Sequence, residues 1–174
     1  MKLNLDKCSI EVLDRHHNRR GFRCGVEEPD YYLGKVARQH AEKGISRTHV
    51  LVCDENKTVI VGFYTLAPCE VKGSILDDSR ARKLPEHPIP ACKLGRLAVA
   101  TEFQKKGLGE LLLMDAMSSF LDAAEKVGMI GLFVDAISEK AAGFYEHYGF
   151  VHCNDDPLHL FIPIQDIKAA LGRD

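Results

Sequence analysis

A chain of 174 residues, 45% apolar and 28% charged, has the proportions of one soluble domain with its own hydrophobic core and no need of a metal or disulfide staple. Fourteen Gly, seven Pro and no biased tract argue against long disorder and fibrous repeats, and no stretch nears the roughly 20 apolar residues of a membrane span. The net charge of −2 is unevenly spread: residues 15–47 hold eight Lys/Arg against four acids, 72–96 hold six against three, and 110–174 hold four against eleven. Such asymmetry fits a polyanion meeting one side of the molecule, and equally a solvated surface of uneven charge.

The start of the chain, Met1 to Lys7, lacks the apolar core of a signal peptide. The six cysteines (8, 24, 53, 69, 92 and 153) are scattered without a C-x-x-C pair and read as reduced thiols in a cytoplasm. The eight histidines show no ligand spacing, and the adjacent His16 and His17 are poorly placed to share one metal, so no metal is expected.

In chain order, Cys8 to Leu13 reads as a short strand. A helix is predicted from Pro29, with Leu33, Val36, Ala37, His40 and Ala41 at helical spacing and Gly44 as its stop. Thr48 to Cys53 and Val59 to Leu66 read as strands joined by the polar run Asp54 to Lys57, a hairpin. Residues 68–90, with four prolines and the run Arg80-Ala81-Arg82-Lys83, read as a long loop, and long loops in compact domains are often functional. Ala91 to Ala100 is a strand, and Leu108 to Val127 a long helix with Leu111, Leu112, Met114, Ala116 and Phe120 on its buried side. Met129 to Ala136 is a central strand, Glu139 to Tyr148 a helix, His159 to Pro163 a late strand, and Ile167 to Leu171 a closing helix. The order predicts an α/β domain over 1–174, a mixed central sheet with helices on both faces.

The sharpest local signal is Gln104-Lys105-Lys106-Gly107-Leu108-Gly109, between an apolar strand and a long helix. Amides at a helix N-terminus lack internal partners and the helix dipole favours negative charge, so this turn suits a phosphate, with Lys105 and Lys106 adding charge. Alone, a Gly-x-Gly turn into a helix is as well explained by an ordinary strand-to-helix connection.

Its context narrows the choice. Gly95-Arg96-Leu97-Ala98-Val99 leads into the turn, and Ala142-Gly143-Phe144-Tyr145-Glu146-His147-Tyr148-Gly149-Phe150 follows one strand later. Over residues 91–163 the chain resembles the GNAT acetyltransferases, whose signature is Q/R-x-x-G-x-G/A after an apolar strand, then A-x-x-F-Y-x-x-x-G-F. The resemblance implies the GNAT fold and acetyl-CoA as co-substrate. The pyrophosphate would sit on the amides of Lys105 to Gly109, and the pantetheine would run along Leu97, Ala98 and Val99 as an added strand. The Val99 N–H would polarise the acetyl carbonyl. Tyr145 would protonate the departing thiolate; a packed aromatic is the plainer reading of that residue, though Phe144 and Phe150 fit it better.

Further segments resemble the TacT/AtaT-type toxins of that family: Arg15-His16-His17-Asn18-Arg19-Arg20-Gly21-Phe22-Arg23-Cys24-Gly25, Asp30-Tyr31-Tyr32-Leu33, Ala37-Arg38-Gln39, Gly62-Phe63-Tyr64-Thr65-Leu66 and Leu94 to Val99. With them the resemblance spans nearly the whole chain. It implies acetylation of the α-amine of aminoacyl-tRNA and arrest of translation, a ribbon-helix-helix antitoxin as partner, and a homodimer. Arg23 departs from the family pattern, which leaves the role of its turn open. Arg19, Arg20, Lys35, Arg38, Arg82, Lys83, Lys93 and Arg96 are the candidate tRNA contacts. Two other readings share the acetyl-CoA features: an acetyltransferase for a small-molecule or protein amine, which the basic first half disfavours, and a non-catalytic CoA-dependent module, which Tyr145 disfavours.

Overall fold

The computed structural model describes residues 3–77 and 79–173. Its contacts divide the chain into two compact units, Met1–Ala67 with Arg96–Ala116 and Pro68–Gly95 with Met117–Asp174. The seven strands follow the order β1-β2-β3-β4-β5-β7-β6, with β1 Cys8–Val12, β2 Arg47–Cys53, β3 Gly62–Val71, β4 Ile89–Val99, β5 Gly131–Asp135, β6 Val151–His152 and β7 His159–Pro163.

In the first unit β1 pairs antiparallel with β2, from Cys8 opposite Cys53 to Val12 opposite His49, and β2 pairs antiparallel with β3, from Arg47 opposite Leu66 to Leu51 opposite Gly62. Val50, Leu51, Val52 and Phe63 are fully buried, as expected of strands covered on both sides. The strand read over Val59 to Leu66 starts later and runs on to Val71. Asn56 is the cause at its start: its side chain accepts from both the amide and the hydroxyl of Thr58, at 3.0 and 2.6 Å, and holds this stretch as a turn. Along the rest, Pro68 is accommodated within the strand, which the sequence alone read as a loop.

The first helical segment comprises α1 (Glu27–Tyr31), a π-helical turn (Tyr32–Val36) and α2 (Ala37–Glu42). It begins two residues before Pro29, which then lies in a first turn where a missing N–H costs nothing. Leu33 and Ala37 are fully buried. Cys8 and Cys53, directly opposite in the ladder, form a disulfide closing a separation of 45 residues, so the expectation of six reduced thiols is corrected for this pair. His16 and His17 also come together, both reaching Glu11 Oε1, at 3.2 and 2.7 Å. His17 Nδ1 accepts the Asp14 amide proton at 2.8 Å, so its Nε2 carries the proton donated to Glu11. The ligand atoms of Glu11, His16 and His17 all lie within 4.8 Å of one another, so the expectation that the two histidines are poorly placed to share a metal is corrected.

Helix α3 (Leu108–Ala124) turns Leu112, Leu113, Ala116, Met117, Phe120 and Leu121 inward. Leu111, expected inside, is 45% exposed and Met114 only half-buried, because the buried stripe is rotated by about one residue from the expected one. In the first unit the hydroxyl of buried Tyr64 on β3 donates to Asp115 Oδ2 at 2.6 Å, which fixes the helix on the sheet.

In the second unit β4 pairs parallel with β5 over Cys92 to Leu94, β5 pairs antiparallel with β7, and the two-residue β6, too short for a sequence signal, pairs with β7. Gly131 is required by close approach: a Cβ there would run into the Ile162 carbonyl. Helices α4 (Glu139–His147) and α5 (Ile164–Leu171) complete the unit. Residues 73–75 and 79–83, read as loop, are short 3-10 turns. A cluster of Val71, Leu76, Ala91, Cys153 and Phe161 lies with Ala81 and Leu84 packed against it.

Candidate active site

In the first unit β4 ends at Val99 and the chain makes a tight turn into α3. Lys105 and Gly107 both adopt left-handed backbone, at φ 62° and 79°, and Lys105 is the one described non-glycine residue with positive φ. Two such residues in three coil the chain tightly, and Gly107 is needed for conformation rather than space, since a Cβ there would meet nothing within 4 Å. The first helical hydrogen bond is from the Leu111 amide to the Gly107 carbonyl, at 3.2 Å. The amides before Leu111 therefore precede any helical partner, at the positive end of the helix dipole. Lys105 and Lys106 are exposed beside them. Converging amides, positive charge and a side-chain-free Gly107 suit a pyrophosphate.

The Gln104 side chain points elsewhere. Its Nε2 donates to the carbonyls of Val99 and Cys24, at 2.9 and 2.8 Å. The Thr101 amide and hydroxyl both donate to the Arg23 carbonyl, at 2.9 and 3.2 Å. Asp30 accepts the Cys24 amide at 2.9 Å, and burial pushes the Cys24 thiol up to about 11, out of nucleophilic use. The turn at residues 23–25 is thus pinned to the end of β4. Arg96 makes a further fastening: its Nε and Nη2 donate to Glu28 Oε1, at 2.9 and 2.6 Å, and its guanidinium lies 3.7 Å over the ring of Tyr32. Arg96, expected as a tRNA contact, is committed within the protein to holding the first helical segment on β4.

Four other expected cations converge. Arg19, Arg20, Lys35 and Arg38 line a cleft of about 230 Å³ over Gly34, and Arg20, Lys35 and Gly34 are shared with a neighbouring cleft of about 550 Å³. Arg19 donates to the Gly34 carbonyl at 3.2 Å, and burial, with Arg38 and Arg20 nearby, holds its pKa below the ordinary value. Arg38 is paired with Glu42 at 2.9 Å. Two lining residues escaped the sequence reading, Arg23 and Tyr31. Arg23, where the chain departs from the family pattern, folds back so that its Nη1 donates to the carbonyls of Arg20 and Phe22, at 2.8 and 2.6 Å.

In the second unit Tyr145 lies on α4, 6% exposed, its ring against those of Phe144 and Phe150 at 5.3 and 5.4 Å. Its hydroxyl makes no hydrogen bond among the described residues, and burial raises its pKa well above the ordinary tyrosine value. It is a group that stays protonated and whose proton is uncommitted. Arg82 and Lys83 are exposed on the turn Ser79–Lys83, Arg82 lining a cavity of about 650 Å³ with Asn154, while Lys93 is half-buried on β4.

The family model for the acetyltransferase (GNAT) domain matches residues 46–152, more than half of the chain. The chain belongs to the GNAT acetyltransferases. This GNAT chain is 36% identical over 151 residues, 87% of itself and 89% of the relative, to the tRNA-acetylating toxin of Mycobacterium tuberculosis. It is similar to the structure of AtaT complexed with acetyl-methionyl-tRNAfMet, at 31% identity and a TM-score of 0.86, over 93% of this chain and 98% of that one. It is similar too to a tyrosine-to-phenylalanine variant of AtaT bound to acetyl-CoA and the C-terminus of the antitoxin AtaR, at 30% identity and a TM-score of 0.79, over 94% and 98%. The expected GNAT fold, an α/β arrangement with a seven-stranded mixed sheet, is the one observed.

Proposed function

We propose that this acetyltransferase moves the acetyl group of acetyl-CoA to the α-amine of an aminoacyl-tRNA and thereby blocks translation. The observation that carries the reading is the basic pair of clefts, built on a helical segment fastened to β4 beside the phosphate-suited turn. A polyanionic acceptor and a CoA pyrophosphate are then served by one unit. The 36% identity to a tRNA-acetylating toxin supports the same substrate. We take residues 1–174 as one GNAT domain.

In this proposal the amides of Lys105 to Gly109 hold the pyrophosphate, with Lys105 and Lys106 assisting, and Leu97 to Val99 take the pantetheine as an added strand. Gln104 serves the site by fixing the turn. The neutral amine attacks the thioester carbonyl carbon, whose oxygen the Val99 amide polarises. As the C–S bond breaks, Tyr145 gives its proton to the thiolate; the proton lost by the attacking nitrogen leaves to solvent, and Tyr145 recovers one from solvent before the next turnover. The partners carried by the toxin resemblance are a ribbon-helix-helix antitoxin and a second copy of the chain; the AtaT complex with its antitoxin supports the first. No helix of the described residues is long and apolar enough to cross a membrane, and a cytoplasmic location fits a tRNA substrate.

Charge reversal tests the acceptor. Arg20→Glu with Lys35→Glu should raise the KM for aminoacyl-tRNA at least tenfold and reduce the slope of log KM against log salt by about one per lost phosphate contact. The KM for acetyl-CoA should stay unchanged, because a different turn holds the pyrophosphate. The same reversal at Arg82 and Lys83 measures the share of the second unit. An unchanged KM and salt slope in both double variants would remove polyanion recognition from the account.

A further inference from the structure

The two clefts over Gly34 share Arg20 and Lys35 in their lining. Together they are lined by five cations, Arg19, Arg20, Arg23, Lys35 and Arg38, against three acids. Of those acids Glu42 pairs with Arg38 and Asp30 is bonded to the Cys24 amide, which leaves a net excess of positive charge along the lining. Lining the larger cleft are Tyr31 and Val26. Tyr31 is 62% exposed, and its hydroxyl makes no hydrogen bond among the described residues. Its neighbour Tyr32 is the opposite case, 2% exposed, bonded to Ser46 at 2.8 Å and covered by Arg96. A π-helical turn opens at Tyr32, and such turns recur at functional positions. A large aromatic face left in water beside a file of cations is the arrangement that binds unpaired nucleotides, cations tracking phosphates and the ring stacking a base. The same cleft reaches Arg23 and Gly25, in the turn that is pinned to the end of β4.

We infer that Tyr31 is a stacking platform for an unpaired base at the 3′ end of the acceptor RNA, with Arg20, Arg23 and Lys35 on the adjoining phosphates. The inference rests on the proposed acetylation of aminoacyl-tRNA and adds the subsite for its single-stranded end. Phosphates of the double-stranded stem would engage the Arg19 and Arg38 end of the track.

The chain contains no tryptophan, so Tyr31→Trp installs a sole indole at the platform. Deacylated tRNA should quench it. The same tRNA trimmed of its unpaired 3′ end should bind through phosphates with little quenching, and coenzyme A, which also carries adenine and phosphates, should leave the indole unchanged. Equal quenching by trimmed tRNA or by coenzyme A overturns the assignment. In turnover, Tyr31→Ala should lower kcat/KM for aminoacyl-tRNA about 10-fold, with the acetyl-CoA KM unmoved and Tyr31→Phe restoring the parent value. A parent enzyme that acetylates aminoacyl-tRNA no better than Tyr31→Ala overturns the inference alone; a parent inactive on aminoacyl-tRNA overturns the proposed function together with it.

Discussion

Tyr145→Phe should leave the protein folded and able to bind acetyl-CoA, and should lower kcat by roughly 10²–10⁴-fold, the range of a lost general acid. The substitution removes a single hydroxyl that makes no hydrogen bond among the described residues, while the ring keeps its contacts with Phe144 and Phe150. Folding should therefore move by no more than about 1 kcal/mol, the net value of a typical hydrogen bond. The pH profile gives a second readout with a definite sign. Burial raises the Tyr145 pKa, so the donor form is fully populated throughout the working range and contributes no fall in rate on its alkaline side below about pH 10, the ordinary tyrosine value. With subsaturating acceptor the parent rate should climb through roughly pH 7–8 as the α-amine, pKa about 7.7–8.0 and lower in an ester, loses its proton. No enzyme base is needed for that limb. Thermal melting, calorimetry with acetyl-CoA and a kcat/KM profile together check the set; parent-like turnover by Tyr145→Phe would reduce the residue to packing.

Gly109→Glu should weaken acetyl-CoA binding by on the order of 100-fold or more while α3 still forms. Gly109 is the second residue of the helix, among the amides that precede any helical partner. A carboxylate there turns an attraction between dipole and pyrophosphate into a repulsion and takes those amides for itself. Hydrogen bonds to charged groups are worth about 1.5–3 kcal/mol each, so losing two accounts for the expected drop. Glu at a helix N-terminus is otherwise favourable, which keeps the variant folded. Titration of folded Gly109→Glu by calorimetry is the check, and parental affinity would exclude this turn as the phosphate cradle.

The parts of the site legible in the sequence are those that are contiguous. The turn from Gln104 to Gly109 and the Phe144-Tyr145 element each carry their signal in a few adjacent residues, and strand, turn and helix fell where those signals put them. What escaped depends on partners distant along the chain. The Cys8–Cys53 disulfide needs the β1–β2 register, which no local pattern reveals. Arg96 read as one more surface cation because Glu28 and Tyr32 lie 68 and 64 positions earlier. Tyr31 and Tyr32 are indistinguishable as a pair; only tertiary packing, on Ser46 and Arg96, sets Tyr32 apart as the buried one. Charge composition located the basic region but could not tell Arg23 and Lys35, in a cleft, from Arg96, in the fabric of the protein.

The measurement that bears most directly on the central claim is acetyl transfer from labelled acetyl-CoA to charged tRNA, deacylated tRNA and the free amino acid, each at low and high salt, with products identified by mass spectrometry. The account predicts label on the α-amine of charged tRNA, a rate that falls steeply with salt because phosphate contacts supply much of the binding, none on deacylated tRNA and little on the free amino acid. Equal rates on free amino acid and charged tRNA, indifferent to salt, would contradict it and leave an acetyltransferase for small amines.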